Sequence, residues 1–382
     1  MDFSLNEQQE LFRKEARNFL DAEYPRKLIK ELEESDMGYS GEIWEKMAEI
    51  GWLGLAVPEE YGGVGGGLID LAILFEEVGK TACPTPLFNT LVLGVLPLLE
   101  NGSENRKREI LPKVIEGAAI LTLALNEPET DDRPEFFTTT AAREGDVFLI
   151  NGTKLFVPYA HVADYLLVPA VTGKTTPQGA GISVFIVRKG AEGVRVTPLK
   201  TVAADQRFEV TFENVRVSPD DLVGRLDDGW GVIDSTLRKA TALQCIEAVG
   251  VMQQAMAMTA EYTTNRHQFG QPIAKFQAVQ HRMADMLTDT EGARWLSYKA
   301  VSLLEKGRQA DREVAIAKAW TGEACQRVAY AAHHLHGGIG MDLDYDLHYY
   351  FEWTKSRELN LGTPWMHLAS IKPWIWPEVI ID

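Results

Sequence analysis

The chain has 382 residues, 45% of them hydrophobic and 24% charged, a composition that excludes a disordered chain and leaves room for two or three globular domains. A formal net charge of −17 argues against nucleic acid or an anionic membrane as partner and requires local basic residues wherever an anionic ligand docks. Cys83, Cys245 and Cys325 are scattered without CxxC or His/Cys spacing, so no disulfide framework and no zinc site is expected, and a reducing interior fits best.

The N-terminal residues form an amphipathic helical pattern without the basic-then-apolar order of a signal peptide. No run approaches the roughly 18 apolar residues of a membrane-spanning helix, so the cytoplasm is the expected location. Helical spacing recurs over residues 5–19, 41–50 and 68–78. The connection GWLGLAVPEEYGGVGGG over 51–67 is turn-rich but matches neither GxGxxG nor GxxxxGK[ST], so it reads as a linker. Near residue 120 the texture changes to short β-rich runs, among them DVFLING, YLLVPAV, GISVFIV and RFEVTFENVRV, parted by Gly, Pro, Asn and Asp. After residues 220–231 the helical period returns over 232–264, 273–306, 312–336 and a last pattern beyond Asp346. The expected fold is α+β: an N-terminal α-helical domain (1–120), a middle antiparallel β-barrel or sandwich domain (121–230) and a C-terminal four-helix bundle (231–382). Separate layers, rather than alternating strands and helices, disfavour a Rossmann fold.

One junction draws notice, RHQFGQPIAKFQAVQHRMADM over 266–286. Arginine offers a planar fork for phosphate, glutamine a hydrogen bond to an amide-edged ring, and phenylalanine a flat apolar face. These residues suit a cofactor junction and suit an ordinary interhelical corner equally.

Taken together, five segments resemble the acyl-CoA dehydrogenase family across nearly the whole chain. WLGLAVPEEYGGVG is similar to its N-terminal loop, NEPETDD to its TEP segment, and NGTKLFVPYAHVAD to its G-T-K-W-I-T segment. RHQFGQPIAKFQ is similar to its R-x-x-F-G signature, and HHLHGGIGM to its Q-x-x-G-G-x-G signature. The resemblance implies non-covalent FAD, oxidation of an acyl-CoA thioester to the 2,3-enoyl-CoA, electron-transferring flavoprotein as acceptor, and a homo- or hetero-tetramer. It implies that Arg266 contacts the FAD pyrophosphate of a neighbouring subunit, with Gln268, Phe269 and Gln277 beside it. It also implies that Gly337 and Gly338 let the nucleotide approach closely, and that Asn126, Phe156, His334 and Thr363 stand at positions that line the cofactor. Several of these depart from the family pattern: Phe156 replaces tryptophan, Pro158 and Asn126 replace threonines, and His334 replaces glutamine. Asp131, Asp132 and Arg133 stand where Gly-Ser-Asp is usual.

The reaction needs a carboxylate to take the α proton while hydride leaves for the flavin. The family's E-G-T is Leu361-Gly362-Thr363 here, and its second location falls on Ala240; neither accepts a proton. Seven residues beyond Ala240 is Glu247, returned to nearly the same helix face with a drift of about 20° and an advance of about 10 Å. It lies in an apolar run, TALQCIEAVGVMQ, and an acid before V-G resembles a bacterial branch that handles bulky steroid-derived or cyclic acyl-CoAs. Glu247 is therefore the candidate base, against the alternatives of a solvated or structurally paired glutamate. In that branch a D-L-H-x-Y run precedes two arginines, whose places hold Glu352 and Trp353 here. The accumulated departures leave two other roles open: a catalytically silent partner subunit of a hetero-oligomeric dehydrogenase, or a non-oxidative acyl-CoA enzyme with a structural flavin.

Overall fold

The structure, a computed structural model, describes residues 5–128, 134–201, 203 and 205–375. In chain order the helices are α1 (Glu7–Glu23), α2 (Arg26–Glu33), α3 (Gly41–Glu49), α4 (Leu68–Thr81), a π-helical segment Asn89–Val95, α5 (Leu96–Asn101) and α6 (Glu104–Ile115). The strands β1 (Leu121–Leu123), β2 (Thr140–Glu144), β3 (Val147–Pro158), β4 (Tyr165–Val171), β5 (Ile182–Arg188), β6 (Val194–Leu199), β7 (Arg207–Val217) and β8 (Leu222–Val223) follow. Then come α7 (Trp230–Asn265), β9 (His267–Gln268), β10 (Gln271–Pro272), α8 (Gln277–Glu305), α9 (Asp311–His336), α10 (Leu347–Leu359) and α11 (Pro364–Ile375). The α+β order of helices, sheet and helices expected from the sequence is observed.

Local signals explain many boundaries. Asn6 and Gln9 form a reciprocal capping box that starts α1, and Ser40 and Ser103 accept backbone N–H bonds that start α3 and α6. Helical spacing did not reveal the π-helical segment, whose register shift is invisible to a 3.6-residue period.

The chain clusters into two compact units: residues 1–29, 67–83 and 238–382 in one, and 30–66 and 84–237 in the other. The second unit holds one eight-stranded sheet of order β6-β7-β3-β2-β4-β5-β8, with β1 beside β4. Most neighbours are antiparallel, but β1 runs parallel to β4, with Leu121 opposite Tyr165. Strand alternation cannot foretell such a pairing, because both orientations alternate alike. One face closes over Phe148, Ile150, Phe185, Phe208, Val210 and Phe212.

The first unit is helical apart from the small β9–β10 pair and joins α1 and α4 from the N-terminal part of the chain to α8–α11 and most of α7. Its core includes Val249, Met252, Met286, Cys325, Val328 and Tyr350. Here α4 and α7 cross glycine to glycine. A Cβ on Gly79 would lie 2.0 Å from the Glu247 carbonyl oxygen, and one on Gly250 would lie 2.0 Å from that of Glu76. Only bare backbone allows this approach. Buried acids flank the crossing, each with a basic residue from another helix. Glu76 meets Arg294, Arg13 and the Tyr298 hydroxyl, Glu77 lies 3.7 Å from Arg17, and Glu247 meets Arg357.

Candidate functional site

The 266–277 junction folds as a minute hairpin rather than a plain turn. β9 and β10 pair Gln268 with Gln271 and His267 with Pro272, and the two-residue loop is Phe269-Gly270, with φ +53° and +78°. Positive φ at both positions is the geometry of a type I′ turn, which favours Asn-Gly and strains a bulky first residue. Phe269 holds that conformation while 92% exposed, its ring edge-on to Phe276 at 6.1 Å. Strain and exposure together mark a side chain shaped for something outside the hairpin. Arg266, Gln268 and Gln277 are also exposed. The Arg266 amide and carbonyl tie the hairpin to α7 and the following turn, through Tyr262 and Ile273 at 2.8 Å each. Gln268 donates its side-chain amide to the His267 carbonyl at 2.9 Å, leaving its oxygen outward.

A second feature of the same unit is the C-terminal end of α9. His336 donates from Nδ1 to the Ala332 carbonyl at 2.7 Å, so its Nε2 accepts from the Tyr345 hydroxyl at 3.1 Å. Its ring stacks on Tyr262 of α7 at 4.5 Å. Burial pushes the His336 imidazole below its ordinary range, which keeps the neutral form that these bonds require. The helix then stops at Gly337, whose φ of +64° and ψ of −139° suit glycine alone. A Cβ at Gly337 or Gly338 would meet nothing within 4 Å. Gly338, at an ordinary φ, thus has no reason within the described chain to be bare, and His334 beside it is exposed.

Between α8 and α9 runs a cleft of about 900 Å³ lined by Arg282, Asp289, Arg327, Tyr330 and His334, with Met341 at one end. Arg327 is spent on a bidentate pair with Asp289 at 2.7 and 2.8 Å. Neither Arg266 nor Arg282 makes an ion pair among the described residues. Two uncommitted guanidinium groups on a chain of net charge −17 are the local cations that an anionic ligand needs. Bare backbone, free arginines and an outward aromatic fit a pyrophosphate-bearing nucleotide. Sequence reasoning missed Arg282, although it sits five residues beyond Gln277 in the quoted stretch.

In the sheet-bearing unit, Asn126 and Phe156 are brought together. The Leu155 amide donates to the Asn126 carbonyl at 2.8 Å. β3 carries a bulge in which Leu155 and Phe156 oppose Glu209 alone, since Lys154 pairs with Val210 and Val157 with Phe208. In that bulge Phe156 adopts φ +53° and is 49% exposed. Beneath them lies a pair that sequence reasoning passed over, Glu127 and Lys154, 2.6 Å apart and both fully buried. Asp131, Asp132 and Arg133 lie outside the described residues.

Glu247 is 3% exposed, and both of its oxygens are taken by Arg357 of α10, at 2.8 Å to Nε and 3.0 Å to Nη2. Trp353 lies under that guanidinium at 4.3 Å, so the residue in one of the branch's arginine places backs an arginine one turn along. The fully buried Lys318, whose ammonium burial pushes below its usual range, donates to the Arg357 carbonyl. Leu361 keeps a tight corner with φ +57° ahead of Gly362 at +92°, its carbonyl accepting from His367 at 2.9 Å. The Thr363 hydroxyl caps α11 through the Met366 amide at 3.3 Å, a structural use. Among the described residues no group of three His, Cys, Asp or Glu is placed to hold a metal, and no helix is long and apolar enough to cross a membrane.

Three family profiles match the chain in order: the acyl-CoA dehydrogenase N-terminal domain over residues 6–118, the middle domain over 122–215 and the C-terminal domain over 227–375. Acyl-CoA dehydrogenase FadE27 of Mycobacterium tuberculosis is 34% identical over 342 residues, 87% of each chain. A 3-(aryl)acrylate reductase of Clostridium sporogenes is 32% identical over 346 residues, 89% of this chain and 91% of its own. Among solved structures, a chain of the ChsE4–ChsE5 complex of Mycobacterium tuberculosis superimposes with a TM-score of 0.91 at 30% identity, covering both chains completely.

Proposed function

The chain belongs to the acyl-CoA dehydrogenase family, an oxidoreductase family of flavoproteins, and on that premise we propose that it binds FAD and oxidises a bulky, cyclic or branched acyl-CoA thioester to the 2,3-enoyl-CoA. The observation that carries the cofactor half is the strained, outward Phe269 between Arg266 and Gln268, beside open glycine backbone at Gly337 and Gly338. Arg266, with Arg282, neutralises the pyrophosphate; Gln268, Phe269, Gln277 and His334 flank the nucleotide of a neighbouring subunit. Asn126 and Phe156 line the ring, and Thr363 contributes only through the corner that it caps. FAD, when bound, supplies the hydride acceptor. Glu247 takes the α proton, and to do so it must give up one of its two bonds to Arg357. The working domains are 1–120, 121–230 and 231–382, the acceptor is electron-transferring flavoprotein, the assembly is a tetramer and the location is the cytoplasm, where the three free thiols are at home.

A second reading, a silent partner subunit in a hetero-tetramer, is favoured by one observation: both Glu247 oxygens are occupied and Leu361 stands at the usual base position. The likeness to a chain of a two-component complex supports it as well. Purification separates the two. A yellow protein, expressed alone, whose visible flavin band bleaches anaerobically with a saturated acyl-CoA supports the dehydrogenase reading; a colourless protein that gains flavin only with a co-expressed partner supports the second. One relative is named a reductase, so the assay is run in both directions.

A further inference from the structure

The sheet-bearing unit contains a charge pair that the reading above does not use. Lys154 and Glu127 are both fully buried, 2.6 Å apart, in a unit whose buried core is largely aliphatic and aromatic. Taking two charges out of water is costly, and a well-packed apolar pair serves stability as well or better. The surroundings show what the charges hold. The Glu127 carboxylate accepts from the Thr138 amide at 2.5 Å, the Thr138 hydroxyl at 2.7 Å and the Thr139 amide at 3.2 Å. Lys154 also donates to the Leu125 carbonyl at 3.2 Å and sits over the Phe137 ring at 4.5 Å. Opposing charges and hydrogen bonds settle Glu127 below the usual carboxylate range even though burial, the largest influence, acts the other way. Three backbone segments, 125–127, 137–139 and 154–155, are thus tied to one buried point.

That point is adjacent to both residues of the wall, the half-buried Asn126 and the exposed Phe156. Asn126 precedes Glu127, and Phe156 lies two residues past Lys154, inside the bulge that starts there. The left-handed Phe156 is strained for a residue with a side chain, and it persists only if its neighbours over-determine it. They do: Leu155 bonds the Asn126 carbonyl at 2.8 Å, and Arg207, itself paired with Asp205 at 2.8 Å, donates to the Phe156 carbonyl at 3.3 Å. We propose that Glu127 and Lys154 are positioning residues that lock the β3 bulge so that Asn126 and Phe156 present a fixed wall to a planar aromatic ligand. The inference rests on the FAD reading for the identity of that ligand, the flavin ring, and on the hydrogen bonds alone for the lock.

The test uses the full chain as wild type, Lys154→Met, the uncharged pair Glu127→Gln/Lys154→Met, and Phe156→Ala. Two readouts are taken: amide hydrogen exchange of the peptide holding Leu155, measured without FAD, and the affinity and visible spectrum of added FAD. Lys154→Met, or the uncharged pair if Lys154→Met does not fold, is expected to speed exchange at Leu155 by about tenfold or more. The same variant is expected to weaken FAD by about tenfold and shift the flavin band as Phe156→Ala does. Phe156→Ala shifts the band without speeding exchange. Unchanged Leu155 exchange in both Lys154 variants overturns the lock. Faster exchange with a wild-type flavin affinity and spectrum overturns the positioning role and leaves a structural pair. Failure of the wild type to take FAD, alone or with a co-expressed partner, removes the cofactor reading, while the exchange result still decides the lock.

Discussion

Replacing Arg357 by methionine separates the two lives open to Glu247. In the structure the pair is bidentate, at 2.8 and 3.0 Å, with side-chain exposures of 10% and 3%. Removing the arginine leaves a carboxylate among Ile246, Ala248 and Val249, all fully buried, and an uncompensated buried charge costs about 3–5 kcal/mol. For a chain of 382 residues that lowers the apparent melting temperature by roughly 4–6 °C. Circular dichroism at fixed protein concentration measures it. The uncharged pair Glu247→Gln/Arg357→Met is expected to recover most of the loss, since neither charge is then stranded. Chemistry gives the second axis. If Glu247 takes the α proton, Glu247→Gln retains FAD and slows flavin reduction by about 10²–10⁴-fold. Arg357→Met, whose carboxylate survives, still reduces flavin at a temperature where it stays folded. An Arg357→Met protein melting within about 1 °C of wild type, equivalent to less than roughly 1 kcal/mol, would refute the buried-pair reasoning. A Glu247→Gln protein that reduces its flavin at the wild-type rate would remove the base and leave the pair as architecture.

Phe269→Asn supplies the side chain that a type I′ turn prefers; the melting temperature is expected to hold or rise slightly, while FAD retained after gel filtration falls. Glycines at two places should respond oppositely. Gly338→Ala meets nothing within 4 Å and is expected to leave stability within about 0.5 kcal/mol but reduce FAD occupancy, whereas Gly250→Ala drives a Cβ to 2.0 Å from the Glu76 carbonyl and costs about 1–3 kcal/mol by thermal melt. Acid stability should trace to Glu76. Burial raises its carboxyl, but Arg294, the Tyr298 hydroxyl and Arg13 outweigh burial and hold it below the usual range. Because the folded value is depressed, its contribution is present above the unfolded value of about 4.3 and is lost as pH falls through the lower folded value. Melting curves from neutral pH to about pH 3 should decline less steeply for Glu76→Gln than for wild type; equal slopes would exclude Glu76 as a source.

Much of the fold was legible because the signals are local. The runs YLLVPAV and RFEVTFENVRV became β4 and β7 residue for residue, since strand propensity and turn residues act within a few positions. The parallel union of β1 with β4 and the grouping of α1 and α4 with the C-terminal helices were not legible. Both depend on which apolar face finds which, and alternation or helical period names a face without naming its partner. The hairpin at Phe269 lies between: Gly270 is a residue that turns favour, but the left-handed phenylalanine before it is what propensity argues against, and such a violation is where function is expected to sit.

Glu247 carries that lesson further. Its sequence neighbours describe an apolar helix face, and on that evidence an acid there is displaced to solvent, paired structurally or poised for chemistry. The structure supplies the partner of that pair, a guanidinium 110 positions away, and periodicity in α7 holds no trace of it. The same blindness covered Lys154 and Glu127, 27 positions apart within two segments whose neighbouring residues had been read for flavin contacts. Within each of these segments a residue's type showed that it needed a partner, because a buried charge is not left alone. The identity of the partner is a property of the fold. A buried acid in an apolar run is therefore better read first as a request for a cation elsewhere in the chain. Its claim to chemistry begins only when the reaction offers it something better than the arginine it already holds.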